Sequence, residues 1–172
     1  LNAVGVETDS LAAGASVESA LAAIGTVTQT PVIDLGAGTY DFDGAIALNQ
    51  SVEIEGAGLS STVLRQTATA RLFNISPSVD VALRHMTLTT DGIGSSQYGG
   101  GILNQGNLIV ENSAFVENSA NRGGAIETLS EGSLIAVESD FWGNRAGIYA
   151  LSDVGDGGAI YAVNADVNLM GV

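Results

Sequence analysis

At 172 residues, 45% of them apolar and 23 of them glycine, the chain is long enough for one continuous core and short for two. Its formal charge is −14 and its five basic residues are all arginine, which excludes a phosphate-tracking surface and with it nucleic acid or an anionic membrane as partner. Cys is absent and no apolar run reaches the ~18 residues that cross a bilayer, so the expectation is a soluble protein without direct membrane insertion, held by packing and backbone ladders.

The chain opens at Leu1 with neither an initiator Met nor a basic-then-apolar leader, which points to a processed, secreted product or an excised segment. Residues 1–8, LNAVGVET, alternate in polarity and read as a strand or arm carrying Val4 and Val6. Over 9–25, Val17, Ala20, Leu21 and Ile24 follow helical spacing, Ser16 stands at a capping position and Gly25 ends the run, so a helix closing the N-terminal end is expected. From 31 onward period-2 runs take over. VIDL (32–35) and TYDF (39–42) read as strands turned at Gly36 and Gly38.

The rest of the chain repeats. GGGI at 99–102 returns as GGAI at 123–126 and 157–160, and LIVENSAFVEN (108–118) returns as LIAVESDFWGN (134–144), which sets Phe115 against Phe141 and Asn118 against Asn144. SVEIEGAG (51–58), VALRHMTL (81–88) and the run from Val167 through Leu169 are fainter copies, giving starts at 52, 81, 108, 134 and 167. Each copy holds short alternating runs broken by Gly, Asn, Ser or Asp, too little to bury an apolar face alone. Stacking copies at ~4.8 Å pairs every strand and makes a continuous core. The fold expected is therefore all-β: a single-stranded right-handed parallel β-helix (solenoid) of about five or six coils, with an N-terminal capping helix. The whole chain, 1–172, is one domain whose coils span 31–172, and RAGIYALSDVGD (145–156) is an insertion into the repeat.

VESALAAIG (17–25), followed by Gly38-Thr39-Tyr40 and by Ile54-Glu55-Gly56-Ala57-Gly58, resembles the N-terminal cap and first coils of pectate-lyase-like β-helix proteins. The GGAI and F-x-x-N units resemble the repeats of polymorphic outer-membrane proteins and related autotransporter passengers. These resemblances imply the β-helix and an extracellular or cell-surface place. They leave function open, because the superfamily includes lyases, hydrolases, tailspikes, adhesins and structural proteins.

Catalytic residues are not identifiable. The acidic pairs Asp41 and Asp43, Glu53 and Glu55, and Asp153 and Asp156 are the places where Ca2+ or acid–base work on sugars would be sought. Alternation places the first two pairs on the outward face of a strand, opposite Phe42 and Ile54, which is ordinary for a solvated strand. His85, the single histidine, reads as a turn residue, and no Ser-His-Asp or metal-ligand spacing can be built around it. No helix follows the glycine doublets, so turn geometry explains them better than phosphate binding does. Asn118 and Asn144 are expected to stack as a structural amide ladder. Asn49 and Asn74 head Asn-X-Ser sequons about one coil apart, candidates for glycosylation on one flank.

The chain closes on apolar alternation without charged gatekeepers, so Val167, Leu169 and Val172, together with Val4 and Val6, form a candidate assembly edge. The expected function is a non-enzymatic extracellular surface protein: an adhesin-like β-helix, or a fibre subunit joined head to tail, with itself, other surface proteins or glycans as partners. No cofactor is required, Ca2+ being the one the acids would admit. The alternatives are a polysaccharide-active lyase or hydrolase or a carbohydrate-binding β-helix, and a Ca2+-stabilised spacer of a larger surface protein. A chelator-dependent melting temperature distinguishes the last.

Overall fold

The computed structural model describes residues 17, 19, 30–90, 98–147 and 157–172. The expected N-terminal arm with Val4 and Val6, the insertion beyond residue 147 with Asp153 and Asp156, and all of the 9–25 helix but two residues lie outside the described residues. The two are Val17 and Ser19. Both are helical, and Val17 is buried in the core cluster.

The chain winds as a parallel β-solenoid. Its first rung is β1 (Val32–Leu35), β2 (Gly38–Phe42) and β3 (Ile46–Leu48), and its second is β4 (Val52–Gly56), β5 (Thr62–Gln66) and β6 (Phe73–Ile75). The third is β7 (Asp80–Arg84), β8 (Thr87–Thr89) and β9 (Ile102–Asn104). The fourth adds a short strand: β10 (Asn107–Glu111), β11 (Ala114–Val116), β12 (Ser119–Ala120) and β13 (Ile126–Thr128). The fifth repeats that plan with β14 (Ser133–Val137), β15 (Asp140–Trp142), β16 (Arg145–Ala146) and β17 (Ile160–Ala162), and β18 (Asp166–Met170) begins another. Equivalent strands stack into three parallel sheets of six, five and five strands, with β12 and β16 forming a two-stranded corner. Arg145 and Ala146, placed by the sequence in the insertion, thus belong to a regular rung, where they pair with Ser119 and Ala120.

The register follows the repeat. Val52, Val81, Leu108, Leu134 and Val167 are successive partners in the first sheet, and Ile102, Ile126 and Ile160 are successive partners in the third. The reason is the two-residue period of a strand: a slip by one position would turn every inward side chain outward. Ile33, Ile54, Leu83, Val110 and Ala136 form one fully buried inward column. Each Ile, Leu or Val side chain in the column contributes about 1.5–3 kcal/mol by leaving water. Phe115 and Phe141 lie in register, rings parallel within 4° and 5.0 Å apart, with Leu88 beneath them.

From the third rung onward, the corner between the first and second sheets places a left-handed residue after each first-sheet strand. His85, Asn112, Glu138 and Gly171 fill it, with φ of 56°, 44°, 47° and 64°. Behind it, Ser113 and Ser139 donate their hydroxyls to the carbonyls of Glu111 and Val137, and each accepts a backbone N–H from the rung before, those of Met86 and Ser113. Gly171 shows what the corner prefers. Glu138→Gly is therefore expected to raise stability by about 0.5–1 kcal/mol, since a Cβ in the left-handed region costs about 1–2 kcal/mol and added unfolded-state entropy returns part of that. Urea denaturation measures it, and a lower midpoint would show that the Glu138 side chain stabilises the corner.

Candidate functional site

The glycine doublets build one flank of the solenoid. Gly99, Gly123 and Gly157 take φ of 56°, 56° and 63°, which turns the chain into the third sheet. The glycines after them serve close approach: a Cβ on Gly100 would stand 2.0 Å from the carbonyl oxygen of Gly124, and one on Gly124 would stand 2.1 Å from that of Gly158.

This packing brings together a charged cluster. Tyr98 and Arg122 precede the left-handed glycines and are bridge partners. Glu127 and Tyr161, the residues after the doublets' isoleucines, are strand partners on the outer side of the third sheet. The Arg122 guanidinium lies 4.2 Å from the Tyr98 ring centroid and 5.0 Å from that of Tyr161, and its Nη2 donates to Glu127 Oε1 at 2.8 Å. Glu127 is 0% exposed although its strand position faces outward. Its Oε2 and the Nε of Arg122 are buried without a hydrogen-bond partner among the described residues. Burial raises the Glu127 carboxyl above its ordinary range, against the pull of Arg122 and Arg71, and burial also lowers the Arg71 guanidinium, with Glu127 opposing.

Enclosed in this way, the Glu127 carboxyl bears on the stability of the fold. The folded state holds the Glu127 proton more tightly than the unfolded state does. Its contribution to stability is greatest below about pH 4.5, the ordinary value, and falls as pH rises through the elevated folded value. Glu127→Gln keeps an oxygen for Arg122 and removes the titration, so the melting temperature of the variant should decline less than the parent's above about pH 4.5. Parallel pH profiles for the two proteins would contradict this. Sequence reasoning missed Arg71, Tyr98, Arg122, Glu127 and Tyr161 because it treated the doublets as turns alone. Aligning the copies on the doublets also aligns Tyr98 with Arg122 and Leu103 with Glu127 and Tyr161, and that was the available signal.

The residues singled out from sequence do not converge. Asp41 is exposed and accepts both Nε and Nη2 of Arg65, at 2.8 and 3.0 Å; that hydrogen bond is the main cause holding its carboxyl below the ordinary range. Asp43 is exposed beside it. Glu53 and Glu111 flank Arg84 as ion-pair partners, and Glu55 lies 3.3 Å from Nδ1 of the turn residue His85. Among the described residues, no group of three or more His, Asp or Glu gathers as metal ligands would. Asn49 is exposed and accepts a hydrogen bond from the Ser76 hydroxyl, while Asn74 is half-buried in β6 between two buried neighbours.

Asn118 and Asn144 do come together. Asn118 Nδ2 and its backbone N–H both donate to Asn144 Oδ1 at 3.0 Å, and Asn144 Nδ2 donates to the Phe115 carbonyl at 2.9 Å.

At the far end, Val167 and Leu169 stand in the inward register of β18, over Leu134 and Ala136, yet are 39% and 48% exposed. Met170 and Val172 are exposed with them, and Trp142, outward on β15, is 65% exposed. No protein-family model matches the chain, and comparisons with curated proteins and with solved structures return no match.

Proposed function

We propose that this chain is a non-enzymatic extracellular surface protein, a β-solenoid module that serves as an adhesin-like surface or as a fibre subunit and assembles through its coil ends. The observation that carries the reading is the regular parallel stacking of the described rungs into three continuous sheets, a plan that repeats without a convergent cluster of the acids singled out from the sequence. Inward columns of aliphatic side chains run buried from rung to rung, and the parallel strands pair in one register throughout the described rungs. The likeness of the GGAI and F-x-x-N units to autotransporter passenger repeats supports the surface setting. The engagement of Asp41 with Arg65 and of Glu53 with Arg84 supports a structural use of acids that a sugar-active enzyme would leave free.

Sedimentation velocity over rising concentration tests the assembly. The parent should form species larger than one chain, and Leu169→Lys, which puts a charge on the apolar end, should not. A parent that remains monomeric throughout would overturn the reading. A second reading, glycan binding on the same scaffold, is favoured by Trp142, a large apolar ring on a strand face. As the single Trp of the chain it reports directly, so saturable quenching by neutral oligosaccharides would support that reading and its absence would remove it.

A further inference from the structure

The turn between β2 and β3 holds an Asp-Gly junction, Asp43-Gly44, outside any strand, with Asp43 exposed and Gly44 half-buried. Adjacent residues of this kind can close a succinimide ring, in which the backbone nitrogen of the second attacks the side-chain carboxyl of the first as an intramolecular step. That step needs a nitrogen released from the backbone ladder and room around it. Both conditions hold here. Among the described residues, the Gly44 N–H donates to no group and the Asp43 carbonyl accepts from none. Glycine brings no Cβ to hinder the attack, and even a Cβ added there would meet nothing within 4 Å. The Asp43 carboxylate joins no ion pair among the described residues, whereas Asp41 is held by Arg65 at 2.8 Å.

Two Asn-Ser junctions, which reach the same ring with loss of ammonia, are closed by the fold. At Asn112-Ser113 the attacking nitrogen donates to Ser139 Oγ at 3.3 Å, and Ser113 is fully buried. At Asn118-Ser119 the Asn118 amide is fully buried and donates to the Leu88 carbonyl at 3.1 Å. The chain's other Asp-Gly junctions, 91–92 and 156–157, involve residues outside the described ones. On either side of Asp43-Gly44 the backbone is pinned: the Phe42 carbonyl accepts from Thr67 N–H at 2.7 Å, and Ile46 N–H donates to the Leu72 carbonyl at 2.9 Å. Any lengthening of the chain must therefore be absorbed within 43–45, where Gln66 Nε2 holds the Gly44 carbonyl at 3.0 Å.

We propose that Asp43 is a site of isoaspartate formation in the folded protein, and that the product loosens the Gln66 contact. The Gly44 nitrogen bonds to Asp43 Cγ, and the hydroxyl of the protonated carboxyl leaves as water with the amide proton. A second water then opens the ring. Addition at the former main-chain carbonyl breaks its bond to nitrogen, which leaves the chain running through Cβ and Cγ and the old carbonyl as a carboxylate. Addition at Cγ restores aspartate. One water leaves and one enters, so the composition is unchanged while the backbone gains one methylene.

The test incubates the folded 172-residue protein in mildly acidic heavy-oxygen water, beside the free peptides TYDFDGAIAL (39–48) and VENSAFVENSA (110–120), and maps the products by mass spectrometry. At Asp43 the folded protein should take up heavy oxygen and yield a species that co-elutes with a synthetic isoaspartyl peptide, at a rate of the same order as in the free peptide. Asn112 and Asn118 should deamidate at least about tenfold more slowly in the folded protein than in their peptide, because buried hydrogen bonds must open first. Asp43→Glu, which keeps the charge and can close only a larger ring, should lose the product. The isolated isoaspartyl form should melt below the parent. An Asp43 that takes up no heavy oxygen while the free peptide converts would overturn the proposal, as would Asn112 and Asn118 reacting as fast as in their peptide. An isoaspartyl form that melts with the parent would overturn the link to Gln66.

Discussion

Gly124→Ala is expected to prevent folding. The added Cβ would lie 2.1 Å from the Gly158 carbonyl oxygen, 2.6 Å from Arg145 N and 2.7 Å from Arg145 O, all of them backbone atoms. Relief would require the fourth and fifth rungs to part where β12 and β16 pair, and the neighbouring doublets repeat the same contact, so the strain cannot be passed along the stack. A loss of more than about 4 kcal/mol follows, a large share of the about 5–15 kcal/mol that holds a domain folded. Gly44→Ala is the matched control: a Cβ there meets nothing within 4 Å. Far-ultraviolet circular dichroism and a urea melt distinguish the outcomes. A folded, cooperative Gly124→Ala protein would show that the rungs are not in close contact at the doublets.

Gln66→Leu is expected to cost about 1.5–4.5 kcal/mol, from about 0.5–1.5 kcal/mol for each of three lost hydrogen bonds to half-buried backbone groups. Gln66 is fully buried and closes the turn between β5 and β6. Its Nε2 donates to the carbonyls of Gly44 and Arg71, and its Oε1 accepts from the N–H groups of Thr67 and Ala68. Thr67 N has a second acceptor in the Phe42 carbonyl, which leaves three groups stranded in the variant. Leucine fills the volume and supplies none of the bonds, so a urea midpoint close to the parent's would mean that water reaches these groups.

How much of this was legible depended on whether a residue repeats. Phe115, Phe141, Asn118 and Asn144 recur with one spacing, and identical residues on successive rungs must meet once strands stack, so their pairing followed from the sequence. The register starts at 52, 81, 108, 134 and 167 followed for the same reason. Gln66 has no counterpart in the other copies, and nothing in its neighbours announces a buried amide bridging two turns. The left-handed corner was hidden because His85, Asn112 and Glu138 share no chemistry; only the backbone conformation is common to them. Glu127 stands in an outward column and would be exposed on an isolated strand. Its burial depends on Arg122 and the tyrosines, which a reading strand by strand does not assemble.

What most needs a direct measurement is the proposed end-to-end assembly of the solenoid. Cryo-electron microscopy of concentrated protein answers it. The proposal predicts end-to-end particles in which the rung spacing of about 4.8 Å runs unbroken through the junction. Separate single-chain particles, or contacts made only through the sides of the solenoid, would contradict it.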